Sequence, residues 1–400
     1  MKSATGWENR FDQFLQPFLV AWRSKTRRRW APLYLRGLLL PGERKSIEPM
    51  AARVAAGHDQ ELRHFVSESD WAEEPIEEVL WNAVDAMLGG DDAALIIDDT
   101  ALPKKGTESV GVAHQYCGSL GKTANCQSLV SVTLAKDDMP VPIALRLYLP
   151  ESWTSDAERR AKVGVPEEIV FRPKWRIALD EIHRVKDSGV RFGIVLADAG
   201  YGGCSGFRHE LSDMGLLWAV GISSDHKLYP ANARARVPRS SGVGRPPERG
   251  VPTHVRRTAK QMIERLGTKA WRRVSWRDGT KGALDAEFIA LRVRPADGDD
   301  LHGGGRLPGD EAWLVAERRS GGEVKYYLTN HPADASLKTL AAAIKARWSC
   351  EQGHQQLKEE LGLDHFEGRS WRGLHHHALL SMIAFAFLQK ERRRENKPAA

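Results

Sequence analysis

The sequence predicts a mixed α/β fold, a sheet flanked by helices, and three observations carry that prediction. Short apolar runs end in acids, as in "AALIIDDT" (Ala93–Thr100) and "RFGIVLADAGYGG", the signature of strands buried on both faces. Two runs, "SLVSVTLA" and "VPIALRLYL", bracket the turn residues "KDDMP", which reads as a hairpin. Helix-period stretches such as "KWRIALDEIHRVKDSG" then alternate with further apolar runs, so a meander passes into strand–helix alternation.

Taken in order, residues 1–90 show helix-like periods broken at "LLLPGERKS" and "EEPIEE". Met1 to Met50 carries ten Lys/Arg against four Asp/Glu, with the cluster "KTRRRW". Such a segment is either a solvated helix face or a helical region that touches DNA. Residues 91–225 hold the first part of the α/β core. Residues 226–322 break the pattern: a Pro-, Gly- and Arg-rich loop precedes the strand-like runs "AEFIALRVRP" and "AWLVAERR", which suggests a β-rich insertion. Between Ala231 and Thr280 there are thirteen Lys/Arg against three acids, while the whole chain is only +7. The positive charge is therefore concentrated, and a concentrated basic field favours a polyanion. Residues 323–389 return to the core through "VKYYLTN", an amphipathic stretch from Ala346 to Phe366 read as one helix, and a closing apolar helix. Residues 390–400 form a charged tail.

Four scattered cysteines without a CxxC pair support neither a zinc ribbon nor a redox motif, and they suit a reducing cytoplasm. The longest apolar run, Ala378 to Leu388, is too short for a bilayer. A cytoplasmic, nucleoid-associated protein without membrane partners is the expectation. The triplet His375–His377 is not expected to hold metal, because consecutive helical side chains diverge by about 100°.

Three carboxylates share a logic. Asp98 and Asp198 close apolar strands, where side chains emerge together at the sheet end. Glu351 lies on the amphipathic stretch with Arg347 and Lys358 at helical spacing, within a narrow arc. Converging carboxylates repel unless a cation neutralises them. Paired Mg²⁺ ions do so, and they clamp both sides of a phosphoryl displacement. Arg347 and Lys358 would then hold flanking phosphates.

These residues carry a family resemblance. R-x₃-E-x₆-K, here Arg347, Glu351 and Lys358, resembles the signature of cut-and-paste bacterial insertion-sequence transposases of the DDE superfamily, with Ile344 where the signature has tyrosine. "IIDDTALPKKG" resembles the D-x-T segment, which selects Asp98 over its neighbour Asp99. "LADAGYG" resembles the D-x-G-Y segment and selects Asp198, with Tyr201 beside it. "GVAHQYCGSLGKTANCQ" is similar to the matching stretch of DDE endonucleases, and the likeness runs from about Trp7 to Leu388.

The resemblance implies a ribonuclease-H-like core, an N-terminal helical region and a β-rich insertion, for which the 152 residues between Asp198 and Glu351 leave room. It further implies catalysis by Asp98, Asp198 and Glu351 with two Mg²⁺ (or Mn²⁺), transposon-end and target DNA as partners, and a homodimer on paired ends. Lys104, Lys105, Lys122, Tyr201, Arg272 and Arg273 join Arg347 and Lys358 as candidate DNA contacts. Two rival expectations stand beside this one: another two-metal nuclease of the resolvase or repair kind, and a non-catalytic DNA-binding regulator.

Overall fold

A computed structural model describes residues 4–239, 250–279, 282–300, 305–319 and 321–395. Five helices come first: α1 (Ala4–Ala21), α2 (Lys25–Leu39), α3 (Ile47–Val54), α4 (Asp59–Ser67) and α5 (Glu74–Leu88). Strands β1 (Gly90–Pro103), β2 (Ala113–Cys117), β3 (Lys122–Lys136) and β4 (Met139–Tyr148) follow. Next come α6 (Glu151–Thr154), α7 (Ala157–Lys162), α8 (Lys174–Asp187), β5 (Phe192–Ala197), α9 (Ala199–Gly202), α10 (Ser205–Asp213) and β6 (Trp218–Ile222). The basic segment holds β7 (Lys227–Pro230), β8 (Ala235–Arg236), β9 (Val251–Pro252), β10 (Arg257–Thr258), α11 (Ala259–Glu264), β11 (Arg272–Gly279), β12 (Gly282–Pro295) and β13 (Ala312–Arg318). The chain closes with β14 (Val324–Thr329), α12 (Leu337–Lys345), α13 (Trp348–Glu359) and α14 (Trp371–Glu395). The mixed α/β expectation holds.

The chain divides into two compact units, Met1–Gly193 with Trp348–Ala400, and Ile194–Arg347. In the first unit β3 pairs antiparallel with β1 along one edge and with β4 along the other. The β3–β4 connection is the expected hairpin. Asp137 and Asp138 sit at φ 51° and 60°, the left-handed pair that a tight two-residue hairpin turn demands.

Around this sheet the buried helix α14 acts as a post for the N-terminal helices. Phe387 meets Trp7, Phe11 and Phe14 of α1 with ring centroids 5.1–5.6 Å apart. The three histidines of α14 are buried, and each finds different partners. His375 Nδ1 faces the Trp371 carbonyl and its Nε2 faces the Leu147 N–H. His376 lies between the Val66 and Trp71 carbonyls. His377 meets the Tyr34 hydroxyl and the Gly362 carbonyl. Burial holds their pKa values down at about 4, 3 and 4.

The opposite face of β4 carries a buried ion network. Arg146 reaches Glu77 at 2.5 Å and Glu181 at 3.0 Å, and Arg184 reaches Glu77 at 2.7 Å and Glu181 at 2.8 Å. Cation and carboxylate are thus removed from water together, the condition under which buried charge is tolerated.

The second unit contains a mixed sheet in the order β10-β7-β12-β13-β14-β6-β5. Strands β5 and β6 run parallel and β6 meets β14 antiparallel. The strands of the basic segment extend this sheet, because β13 pairs with β14 along six residues. Its tryptophans are each faced by a cation: Arg318 over Trp271, Lys345 over Trp276 and Arg292 over Trp313. Residues 240–249 of the Arg- and Pro-rich loop lie outside the described residues.

Candidate active site

Of the stretch Ala346–Phe366, read as one helix, only Trp348–Glu359 is α-helical. Residues 346 and 347 form a turn between α12 and α13. The reason lies in the apolar stripe. Helix α12 buries Leu340, Ala341 and Ile344, whereas α13 buries Ser349, Cys350, Gly353, His354 and Leu357. Continued at 3.6 residues per turn, the first stripe would bury position 351 and expose 350 and 354. The chain breaks at Ala346–Arg347 and restarts in the other phase, which turns Glu351 outward to solvent and Cys350 and His354 inward. A second break follows at Gly362, in the left-handed conformation at φ 66°, as helix ends favour.

The break changes the expected row. Arg347 lies in the turn, not on the helix of Glu351. Burial raises the Tyr327 hydroxyl pKa, with Glu317 adding to the effect and the Arg347 charge opposing it. Lys358 is half-buried on the last turn of α13, near Asp364 and the Cys117 and Cys126 thiols. Burial lowers its pKa and Asp364 pulls back. Only Glu351 and Lys358 share one helix.

On β1, alternation sends adjacent aspartates to opposite faces. Asp99 faces α8, where Lys174 Nζ donates to it at 2.6 Å and also reaches Ser128 Oγ at 2.8 Å. Asp98, paired in register with Ser131, faces α13. Its carboxylate and the ligand atoms of Cys350 and His354 lie within 4.8 Å of one another. His354 Nε2 is 2.8 Å from Ser131 Oγ. The helix approaches closely because position 353 is glycine: a Cβ there would come 3.1 Å from the Pro140 ring. Asp98 is therefore held against the helix that carries Glu351.

Asp198 caps α9: its Oδ1 accepts from the N–H groups of Gly200 at 2.9 Å and Tyr201 at 3.3 Å. The turn lies so close to β6 that a Cβ at Gly202 would fall 2.0 Å from the Gly221 carbonyl. Arg208, 2% exposed, braces the loop by donating to the Gly202 carbonyl and, at 2.6 Å, to Asp297. A carboxylate so fixed by backbone donors is oriented before anything binds.

The remaining candidates separate clearly. Tyr201 is 3% exposed and tilts against Phe207, so its ring orders the loop and is not a surface for DNA. Lys104 donates to the Phe366 carbonyl at 2.6 Å, and burial lowers its pKa. Lys105 and Lys122 are exposed. Arg272 and Arg273 are exposed on β11, with Arg273 paired to Asp285 at 2.8 Å. The sequence reading missed Lys174, Arg208, Cys350 and His354. The i, i+4 spacing of Cys350 and His354 was a usable signal; the partners of Lys174 and Arg208 lie far away in sequence.

Hard carboxylate oxygens at Asp98, Asp198 and Glu351 are the donors a divalent cation of the magnesium class prefers. Asp98 on β1 and Glu351 on α13 are carboxylates of the first unit, and Asp198 is the helix-capping carboxylate of the second. The model of the DDE superfamily endonuclease family matches residues 14–283, more than half of the chain, and the chain belongs to that family. A probable transposase for insertion sequence element IS701 from Microchaete diplosiphon is 30% identical over 185 residues, covering 46% of this chain and 46% of that protein. The match thus spans about half the length of that relative. A solved piggyBac transposase synaptic complex with hairpin DNA aligns over 94% of this chain and 68% of its own, at 9% identity and a TM-score of 0.42. Among the described residues no helix is long and apolar enough to cross a membrane.

Proposed function

We propose that this chain is a DNA transposase that cuts the ends of a mobile element and joins them to target DNA, with Asp98, Asp198 and Glu351 as the carboxylates that hold two Mg²⁺ ions. Bound there, the ions supply Lewis-acid activation of the attacking oxygen and stabilisation of the leaving one. Asp98 and Glu351 contribute oxygens from β1 and α13. Asp198 contributes an oxygen whose direction its cap bonds fix. Arg347 and Lys358 neutralise phosphates flanking the scissile bond, and exposed Lys105, Lys122 and Arg272 add non-specific backbone affinity. A homodimer on paired ends completes the reading.

The observation that carries it is the sorting of two adjacent aspartates. Asp99 is neutralised by Lys174, while Asp98 meets the helix bearing Glu351. That sorting supports Asp98, rather than Asp99, as the carboxylate of the D-x-T segment. The test is a cleavage and strand-transfer assay on DNA carrying the element's own ends. Wild type with Mg²⁺ should give nicked and joined products. Glu351→Gln should give neither while still retarding the DNA on a gel. Cleavage without joining would point to another two-metal nuclease. A wild type that never cuts would point to a DNA-binding regulator.

A further inference from the structure

We propose that Asp98, Cys350 and His354 form a second, separate kind of cation site: one that captures a thiophilic divalent ion of the zinc class and thereby takes Asp98 out of service. The ligand set is soft where the proposed magnesium set is hard, and only Asp98 belongs to both. Thiolate, imidazole and carboxylate are the three donors zinc uses, commonly with a fourth position left to water or substrate.

The geometry argues for the ion. Cys350 Sγ and His354 Nε2 are 3.6 Å apart. Zinc–sulfur and zinc–nitrogen bonds of about 2.3 and 2.0 Å, set at a tetrahedral angle, separate the two donors by about 3.5 Å. The pair already has the spacing of a chelate. It has this spacing because the residues are one helical turn apart on the face that α13 turns to the sheet. All three ligand atoms lie within 4.8 Å of one another, and both the thiol and the imidazole are buried. The floor is polar in an otherwise apolar layer. Ser131 Oγ reaches His354 Nε2 at 2.8 Å, Thr133 Oγ1 lies 3.4 Å from Cys350 Sγ, and the two hydroxyls are 3.3 Å apart. These hydroxyls serve as hydrogen-bond partners of the ligands once an ion replaces the histidine contact, the outer-shell role that tunes affinity. As the ion binds, the Cys350 thiol gives its proton to solvent.

The consequence for catalysis rests on the proposed function: an ion held by Cys350 and His354 draws the Asp98 carboxylate away from magnesium. Zinc should therefore inhibit at a small fraction of the magnesium concentration.

The experiment uses the metal-free full chain and Co²⁺ as a spectroscopic probe. One thiolate-ligated Co²⁺ per chain is expected, with a thiolate-to-cobalt band in the near ultraviolet that Zn²⁺ abolishes by displacement. Cys350→Ser should remove the band. Asp98→Asn should keep it but weaken binding at least tenfold. A wild-type spectrum without a thiolate band overturns the site, and that reading needs no variant to fold. A band that survives in Cys350→Ser also overturns it, by assigning the thiolate to Cys117, Cys126 or Cys204. Cleavage then separates the two proposals. Zn²⁺ inhibition in wild type that is lost in Cys350→Ser supports both. Bound zinc without inhibition leaves the site standing and removes Asp98 from the cutting reaction.

Discussion

Lys174 Nζ lies 2.6 Å from Asp99 Oδ2, across from the face on which Asp98 meets α13. One residue of offset on a strand therefore separates a structural ion pair from a candidate catalytic acid. Asp98→Asn is expected to remove several kcal/mol of metal-derived transition-state stabilisation, more than about a hundredfold in rate. Asp99→Asn should leave cleavage within a few-fold and cost about 1 kcal/mol or less, because the pair is part-exposed. Parallel cleavage rates and denaturation midpoints for the two variants check the assignment. Equal loss of cleavage in both would sink it.

Asp198 caps α9, and one substitution separates that task from the metal-binding one proposed for it. Asparagine caps a helix about as well as aspartate, whereas alanine costs about 1 kcal/mol at a cap. Asp198→Asn should therefore melt with wild type and fail to cut, while Asp198→Ala should fail to cut and melt lower. A cutting-competent Asp198→Asn would reduce this residue to a cap.

The Arg146 network is a stability element on the sheet face of Asp99, in register with it through Val130, and not on the face where Asp98 meets α13. Arg146→Met leaves Glu77 and Glu181, both nearly inaccessible to solvent, without their central cation. Breaking a buried pair from one side costs about 3–5 kcal/mol. Urea denaturation should show that loss, and a change below about 1 kcal/mol would mean that water reaches the network.

The buried histidines give the fold an acid limit. Their folded pKa values of about 4, 3 and 4 lie below the usual value near 6.5. As pH falls below about 6.5 the unfolded chain binds protons that the folded chain refuses, so stability drops by up to about 1.4 kcal/mol per pH unit for each histidine. Glu73 acts oppositely. Burial raises its pKa to about 7, so its folded form gains protons between its ordinary range and 7 and offsets part of the slope. Melting temperature measured from pH 7.5 down to 5 should fall. His377→Phe, if folded, should flatten the curve, and an unchanged slope would remove that histidine from the account.

Much of this was legible in the chain itself. The apolar runs before Asp98 and Asp198 announced strands, but only Asp198 closes its strand: β1 continues past Asp98 to Pro103, so the expected strand-end position of Asp98 was wrong. "KDDMP" announced its hairpin because aspartate tolerates the left-handed backbone. The continuity of the Ala346–Phe366 stretch was misread. The Arg347, Glu351 and Lys358 spacing fits one helix, but the buried stripe changes phase at Arg347, and only the packing partners of α12 and α13 reveal that shift. Pairings such as Lys174 with Asp99 or Arg208 with Asp297 were invisible, since nothing local in either residue names a partner 75 or 89 positions away.

The post made by α14 has a consequence for how the protein is made. Helices α1, α2 and α4 emerge from the ribosome early, yet Phe387, His376 and His377, against which they close, are translated hundreds of codons later. Until then the aromatic side chains of Phe11, Trp71 and Tyr34 pack only on their N-terminal neighbours and leave exposed the sides that Phe387, His376 and His377 later cover. A nascent chain halted before Trp371 should thus be a client for chaperones rather than a half-finished fold.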